Sequence, residues 1–320
     1  ELPAELPDPD GKEADMSKPV QVYILLGQSN MIGFGKPSKL QGIAAEKYPY
    51  LVDDADEWTV RRDVRNVFVM CSGNSPAKDY KNEWMTISGN IGPEIGIGHY
   101  VGHVTDAPVL ILKSCIGNRS LGWDLLPPGS KPYEHGGKTQ PGYRGTPDDP
   151  GGDTGGDMSK GWYAGCQYDG DVAAAKKALD NLDDYYPGAK DYEVAGFFWW
   201  QGDKDRYNAA HASHYEQNLV HLIKTLRKEF KAPKAKFVCA TLGQTPKDST
   251  DPNEKLILDA QLAVDGKTGK YPDFKGNVST VYTHPISQGG ASNSHYDGNA
   301  QTYMDVGLAM GEAMVKLLKA

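Results

Sequence analysis

Apolar positions along the chain come in short runs separated by stretches with a longer period. The runs cover residues 20–26, 67–70, 108–112, 194–200, 237–242 and 278–282. Each is short, nearly continuous and rich in Val, Ile, Leu or aromatic residues, which predicts strands buried on both faces. Between them, residues 93–104, 170–185, 211–230, 252–264 and 300–318 read as helices. Within 211–230, Tyr215, Leu219, Leu222, Ile223, Leu226 and Phe230 fall on one face at three-to-four spacing. Tyr303, Val306, Met310, Ala313, Met314 and Leu317 do the same in the last stretch. Pro252 after Asp251 is a helix start signal, and Gly266 is a stop. Strands alternating with helices predict an α/β fold, a doubly wound parallel sheet covered on both faces. Ligands of such folds bind at the carboxyl ends of the strands.

Two segments break this rhythm. Residues 1–18 are polar and proline-bearing and read as a disordered lead-in to a domain spanning 19–320. Residues 127–161 hold the run DDPGGDTGGD and no apolar period, so they form a long Gly/Asp-rich insertion, functional or mobile. The spacing of Asp148, Asp149, Asp153 and Asp157 does not match an EF-hand loop, which favours a solvated insertion over a calcium site. There is no internal repeat.

Composition narrows the function classes. Hydrophobic residues make up 39% and charged residues 24% of 320, with a net charge of -8 and no basic stripe. This argues against nucleic acid as a partner. No apolar run is long enough to cross a membrane. A neutral sugar fits the charge balance better than a polyanion. The four cysteines form no CxxC pair; Cys115 and Cys239 read as buried free thiols, and a Cys71–Cys166 bridge stays open. Without an apolar h-region at its start, the protein is either cytoplasmic or has lost a signal peptide; the abrupt opening at Glu1 tips the expectation toward a secreted or periplasmic setting.

Chemistry concentrates after the first strand, in VQVYILLGQSNMIGFG (20–35). Gly27 permits a tight turn, and Ser29 then stands at the sheet edge where a helix begins. A hydroxyl there is exposed beside backbone N–H groups that favour developing negative charge. The same serine also suits a plain N-cap. Serine needs a base, and His295 is available on a polar loop between the last strand and the last helix. His284 is its only competitor. His211 and His214 form HxxH without a third ligand nearby, and His99 and His103 share a helix face and read as structural. Glu94, in a first helical turn, reads as structural too.

Five segments in order resemble the SGNH hydrolases, in the branch of sialate O-acetylesterases and carbohydrate esterase family 6. GQSN resembles block I; GPEIGIG (92–98), KSCIGNRSLGWD (113–124), FFWWQGDKD (197–205) and SHYDGNAQTYMDVG (294–307) resemble the later blocks. The resemblance spans about residues 20–318. It implies a flavodoxin-like SGNH fold, Ser29 as nucleophile and His295 as base. It further implies an oxyanion hole from the N–H groups of Ser29 and Gly117 and the amide of Gln201. Gln28, Asn118, Arg119 and Trp123 are the expected substrate contacts, although Arg119, Trp123 and Asp124 serve equally to pin the insertion.

The triad acid is less settled. Many SGNH enzymes carry Asp three residues before the histidine, and here that position is Ser292. Asp297 is expected to join the helix start at Gly298. Asp203, on the loop after Trp200, is the expected acid, with Asp205 as fallback and a Ser–His dyad as a third outcome. The expected function is removal of O-acetyl groups from a carbohydrate through an acyl-serine intermediate, without metal or organic cofactor. The alternatives are an SGNH esterase for another small ester and a non-catalytic carbohydrate-binding protein that keeps the fold.

Overall fold

A computed structural model describes Leu6, residues 11–72 and residues 75–320. Among the described residues the nine strands are β1 (Val20–Gly27), β2 (Val64–Met70), β3 (Lys78–Trp84), β4 (Val109–Ser114), β5 (Tyr133–His135), β6 (Lys138–Gln140), β7 (Tyr192–Trp200), β8 (Lys236–Ala240) and β9 (Val278–Val281). The helices are α1 (Ser29–Ile32), α2 (Ala44–Lys47), α3 (Pro93–Val104), α4 (Cys166–Asp180), α5 (Leu182–Tyr185), α6 (Ala209–Ser213), α7 (Tyr215–Glu229), α8 (Pro252–Ala263) and α9 (Ala300–Lys319). Seven strands form one sheet in the order β3-β2-β4-β1-β7-β8-β9, and β5-β6 is a separate hairpin. All neighbours in the large sheet are parallel except β2 and β3.

Burial on both faces explains the unbroken apolar runs. Along β1, Val22, Ile24 and Leu26 pack toward residues of α4, α7 and α8. Tyr23 and Leu25 alternate to the other face, toward α3 and α9. This two-residue alternation inside a continuous apolar run is what a strand sandwiched by helices requires. The doubly wound expectation holds, with β1 at the centre between β4 and β7. There the chain order reverses, and the carboxyl ends of β1, β4 and β7 open a crevice.

The structure adds elements that the apolar pattern misses. The antiparallel edge strand β3 reads KDYKNEW and is largely exposed, and its charges blunt an open edge. The helix expected over 170–185 starts earlier, at Cys166, and breaks into α4 and α5 at Asn181. The helix expected over 211–230 divides at His214, which caps α7. The insertion is ordered: it carries the β5-β6 hairpin, and Tyr143, Tyr163 and Arg144 all direct polar atoms to Asp169 on α4. The disordered lead-in expected over 1–18 lies partly outside the described residues. Among those described, Leu6 is buried, Glu13 bridges to Arg62 and Lys18 pairs with Asp106 at 2.6 Å, so these residues contact the domain. All four cysteines are buried free thiols, which removes the Cys71–Cys166 bridge.

Candidate active site

The turn after β1 sets the site. Gly27 has φ +151, and a Cβ on it would stand 2.1 Å from the Trp200 carbonyl oxygen, so only glycine lets β1 run this close to the end of β7. Gln28 N–H donates to that same carbonyl at 3.3 Å. Ser29 then opens α1, half-buried, and its N–H belongs to the first helical turn, which has no acceptor within the helix. Gly117, on the loop after β4, lies directly opposite: a Cβ there would sit 3.5 Å from Ser29 Cβ.

The histidine loop reaches the same edge. His295, Tyr296 and Asp297 all adopt left-handed backbone, with φ of 55°, 50° and 51°. Each such non-glycine residue costs about 1–3 kcal/mol and persists only where neighbours over-determine it. Here the buried Tyr296 ring stacks on Trp200, and its hydroxyl accepts from Gly243 N–H at 3.1 Å. The half-buried His295 ring lies flat on Phe34, with centroids 4.0 Å apart and planes 12° apart. Asn30, next to Ser29, ties the two loops together. Its Nδ2 donates to Ser292 O at 3.0 Å, and its Oδ1 accepts from Tyr303 OH at 2.7 Å.

Asp203 enters from the loop after β7 and is 5% exposed. Its Oδ1 accepts from Ser292 Oγ, and its Oδ2 accepts from Asn30 Nδ2 at 3.3 Å. Arg206 Nε lies 3.4 Å from Oδ1. Burial raises the Asp203 pKa, opposed by the Ser292 hydrogen bond, Arg206 and His295. Burial lowers the His295 pKa, opposed by the Asp203 carboxylate. The two groups thus feel each other's charge.

Other expected residues are placed differently. Asp205 is fully buried beneath the glycine loop, accepting from Leu121 N–H and Gly122 N–H at 2.9 Å each and from Gln201 Nε2 at 2.7 Å. Its pKa is pushed up to about 6 by burial. Gln201 is also committed: Nε2 faces Asp205, Arg119 O and Gln28 Oε1, and Oε1 accepts from Tyr215 OH at 2.7 Å. A flipped amide would set its oxygen against three acceptors, so no Gln201 hydrogen remains for an oxyanion. Gln28, 4% exposed, accepts from Gln201 Nε2 and the N–H groups of Gly202 and Lys204, which makes it a brace between loops and not a substrate contact.

Arg119 spreads its guanidinium over Gln167 Oε1, Ser72 Oγ and the carbonyls of Gly117 and Asn118, and stacks on Trp162 at 4.9 Å. Trp123 Nε1 donates to Trp162 O, and Asp124 accepts from Trp162 Nε1 at 2.6 Å. Arg119, Trp123 and Asp124 therefore pin the insertion. Asn118 alone of the expected contacts is exposed at the crevice, at φ 56°. Asp297 is exposed, and Asn299, not Gly298, caps α9. His284 holds the Gly243 carbonyl at 2.8 Å. His214 stacks on Tyr133 of the insertion, and His211 packs against Gly122. Among the described residues, no three His, Cys, Asp or Glu side chains converge as a metal site, and no helix is long and apolar enough to cross a membrane.

A serine at the central switch point, a glycine loop facing it and a histidine loop closing over it define an SGNH-type hydrolase. Residues 152–316 match the family described as carbohydrate esterase, sialic acid-specific acetylesterase, and the chain belongs to that family; it is a carbohydrate esterase. No curated protein matches the sequence. Among solved structures it resembles a protein of Arabidopsis thaliana, at 16% identity, 93% of this chain, 98% of that one and TM-score 0.52. It also resembles NanS at 14% identity, 94% and 99% coverage and TM-score 0.51. A carbohydrate acetylesterase from Xanthomonas citri aligns at 15% identity over 92% of this chain and 55% of that one, with TM-score 0.51. At such identities the likeness establishes the fold.

Proposed function

We propose that this enzyme removes O-acetyl groups from a carbohydrate through an acetyl-Ser29 intermediate. Ser29 Oγ attacks the ester carbonyl carbon while His295 takes its proton. The tetrahedral oxyanion faces the N–H groups of Ser29 and Gly117, and Asn118 contacts the substrate at the rim. Collapse breaks the bond to the sugar oxygen, which leaves with the proton from His295. Water, deprotonated by His295, then releases acetate. Asp203 stabilises the imidazolium.

The observation that carries this reading is the path of Asp203. Its carboxylate hydrogen-bonds Ser292, three residues before His295, so a charge from the β7 loop reaches the position where relatives carry an aspartate on the histidine loop itself. A loop with no usable carboxylate of its own thereby gains one. A non-catalytic sugar-binding protein would have no use for a buried carboxylate beside this histidine.

Labelling with a fluorophosphonate, followed by acetate release from acetylated xylan, acetylated sialic acid and acetylated algal polysaccharide, tests the proposal. Wild type is expected to label and to release acetate from at least one substrate, and Ser29→Ala to do neither. Labelling that survives Ser29→Ala, or Ser29→Ala turnover above about a tenth of wild type, overturns it.

A further inference from the structure

The turn after β7 carries an aromatic ring to the rim of the crevice. Residues Lys204–Tyr207 form one tight helical turn directly after Asp203, and Arg206 anchors it to the fold. Arg206 Nη1 donates to Glu254 Oε1 at 2.9 Å, and Nε lies 3.4 Å from Asp203 Oδ1. The Arg206 carbonyl accepts from Asn253 Nδ2 at 2.9 Å. Tyr207 then turns outward. Among the described residues no large apolar side chain is more exposed, at 69%.

A lone exposed tyrosine is ordinary on a protein surface. This one is held in place. The Arg206 guanidinium lies over the ring, 5.1 Å from its centroid. The phenol oxygen accepts from Arg206 Nη2 at 3.3 Å and, at the longer distance of 3.5 Å, from Asn293 Nδ2. Asn293 is exposed on the histidine loop, two residues before His295. The ring therefore spans from the β7 loop to the histidine loop, next to the Asp203–Ser292 pair. Both of these contacts are ones the phenol oxygen accepts, so its own hydrogen stays free to donate. Fixing so exposed a ring costs side-chain entropy that no burial within the protein returns. Trp162, beside the glycine loop, is also backed by an arginine, but it is only 37% exposed and its N–H is spent on Asp124.

We infer that Tyr207 is the platform of a second sugar subsite, which stacks the neutral ring next to the acetylated one in a glycan chain. The inference deepens the proposed Ser29 chemistry and rests on it for its role in turnover. An exposed aromatic face gains by covering the C–H face of a pyranose, because two apolar surfaces leave water together. A ring already fixed loses little further freedom when the sugar arrives. The free phenol hydrogen and the Asn293 amide meet hydroxyls at the edge of the sugar. Arg206 is answered by Asp203 and Glu254, so the platform offers no uncompensated positive charge to an acidic ring. The net charge of -8 points the same way. The enzyme should therefore read the neighbour of the acetylated residue and act on a chain in preference to a single sugar.

The test compares chain lengths. Acetate release is followed from acetylated methyl xyloside and acetylated xylotetraose, and from acetylated methyl glucoside and acetylated cellotetraose. The proteins are wild type, Tyr207→Ala and Tyr207→Phe. Wild type is expected to favour the tetramer in at least one series by about tenfold in kcat/KM. Tyr207→Ala should remove that preference through KM, with kcat/KM on the single sugar unchanged. Tyr207→Phe, which keeps the ring, should retain most of it. Equal wild-type values for single sugar and tetramer in both series, or an undiminished preference in Tyr207→Ala, overturns the inference, while acetate release from the single sugar leaves the esterase proposal standing. A preference lost as fully in Tyr207→Phe assigns the effect to the phenol hydroxyl and overturns stacking. Where neither series is turned over, calorimetry with the unacetylated tetramers decides. Binding that weakens about tenfold in Tyr207→Ala supports the subsite without the Ser29 chemistry. Binding that is absent, or unchanged in Tyr207→Ala, overturns it.

Discussion

Asp203 and His295 show how much of a site turns on contacts between distant residues. Ser29 and His295 were legible as candidates because each sits in a short motif, Ser29 at the end of β1 and His295 on the loop before α9. Asp203 was named as the expected acid, but its link to the histidine loop was not visible, since it spans 89 positions and passes through Ser292, a residue with no charge to attract notice. The sequence favoured Asp203 over Asp205 and a dyad, and in the structure the two aspartates differ in their partners. Asp205 faces the glycine loop and Asp203 the histidine loop. Asp203→Asn is expected to lower kcat by roughly 10³–10⁴, the usual cost of losing a triad acid. The pH profile supplies a second readout. The base must be neutral, and burial depresses the His295 pKa, so kcat/KM should rise through a midpoint below about 6.5 and then level off. The Asp203 charge opposes that depression, so Asp203→Asn should move the midpoint further toward acid. A variant within a few-fold of wild type, with an unmoved midpoint, would return the acid to the dyad alternative.

At the scale of elements, the loops after β1, β4 and β7 are held as one unit by buried polar groups. Gln28, Gln201 and Asp205 form its centre. Gln28 was expected at the substrate and Gln201 in the oxyanion hole, yet the structure commits both amides to contacts between loops, because neither composition nor spacing shows which way an amide points. Asp205 makes the energetics testable. Burial raises its folded pKa to about 6, against about 3.9 unfolded. The folded state therefore holds this proton more tightly. The resulting stabilisation is complete below about pH 3.9 and is lost as pH rises through about 6, a swing on the order of 3 kcal/mol. In urea unfolding at pH 4.5 and 7, Asp205→Asn should show a smaller loss of stability with rising pH than wild type. It should also be less stable at pH 4.5, because one of the Leu121 and Gly122 N–H groups loses its acceptor. Equal pH slopes for the two proteins would mean that Asp205 stays ionised in the fold.

Across the whole molecule, the apolar pattern was enough for the three-layer architecture but not for what surrounds it. The strands with apolar runs announced themselves: β1, β2, β4, β7 and β8 lie inside the sheet with helices on both faces, and β9 closes its far edge. Strand β3 did not, because an edge strand facing solvent has no apolar period to display. The insertion was legible as a break but not as a structure: its order comes from polar contacts to α4. Asp169 accepts from Tyr143 OH, from Tyr163 OH at 2.6 Å and from Arg144 Nε at 3.1 Å, gathering the middle of the insertion and the chain just past it at one carboxylate. From there the chain carries Trp162 onto Arg119, which in turn holds the carbonyls of Gly117 and Asn118. Asp169→Ala is therefore expected to act at two distances. Nearby, it strips the partner from two tyrosine hydroxyls and a guanidinium, so trypsin should cut faster after Lys138, Arg144 and Lys160 while the rest of the domain resists. Global stability should fall by only about 1–3 kcal/mol, because the sheet and its covering helices are untouched. At the site, loosened contact between Trp162 and Arg119 should leave the Gly117 loop less fixed, lowering kcat severalfold with Ser29 still reactive toward a fluorophosphonate. Wild-type trypsin resistance in Asp169→Ala would show that the insertion is held by the Tyr133–His214 stack instead, and His214→Ala would then be the variant that frees it.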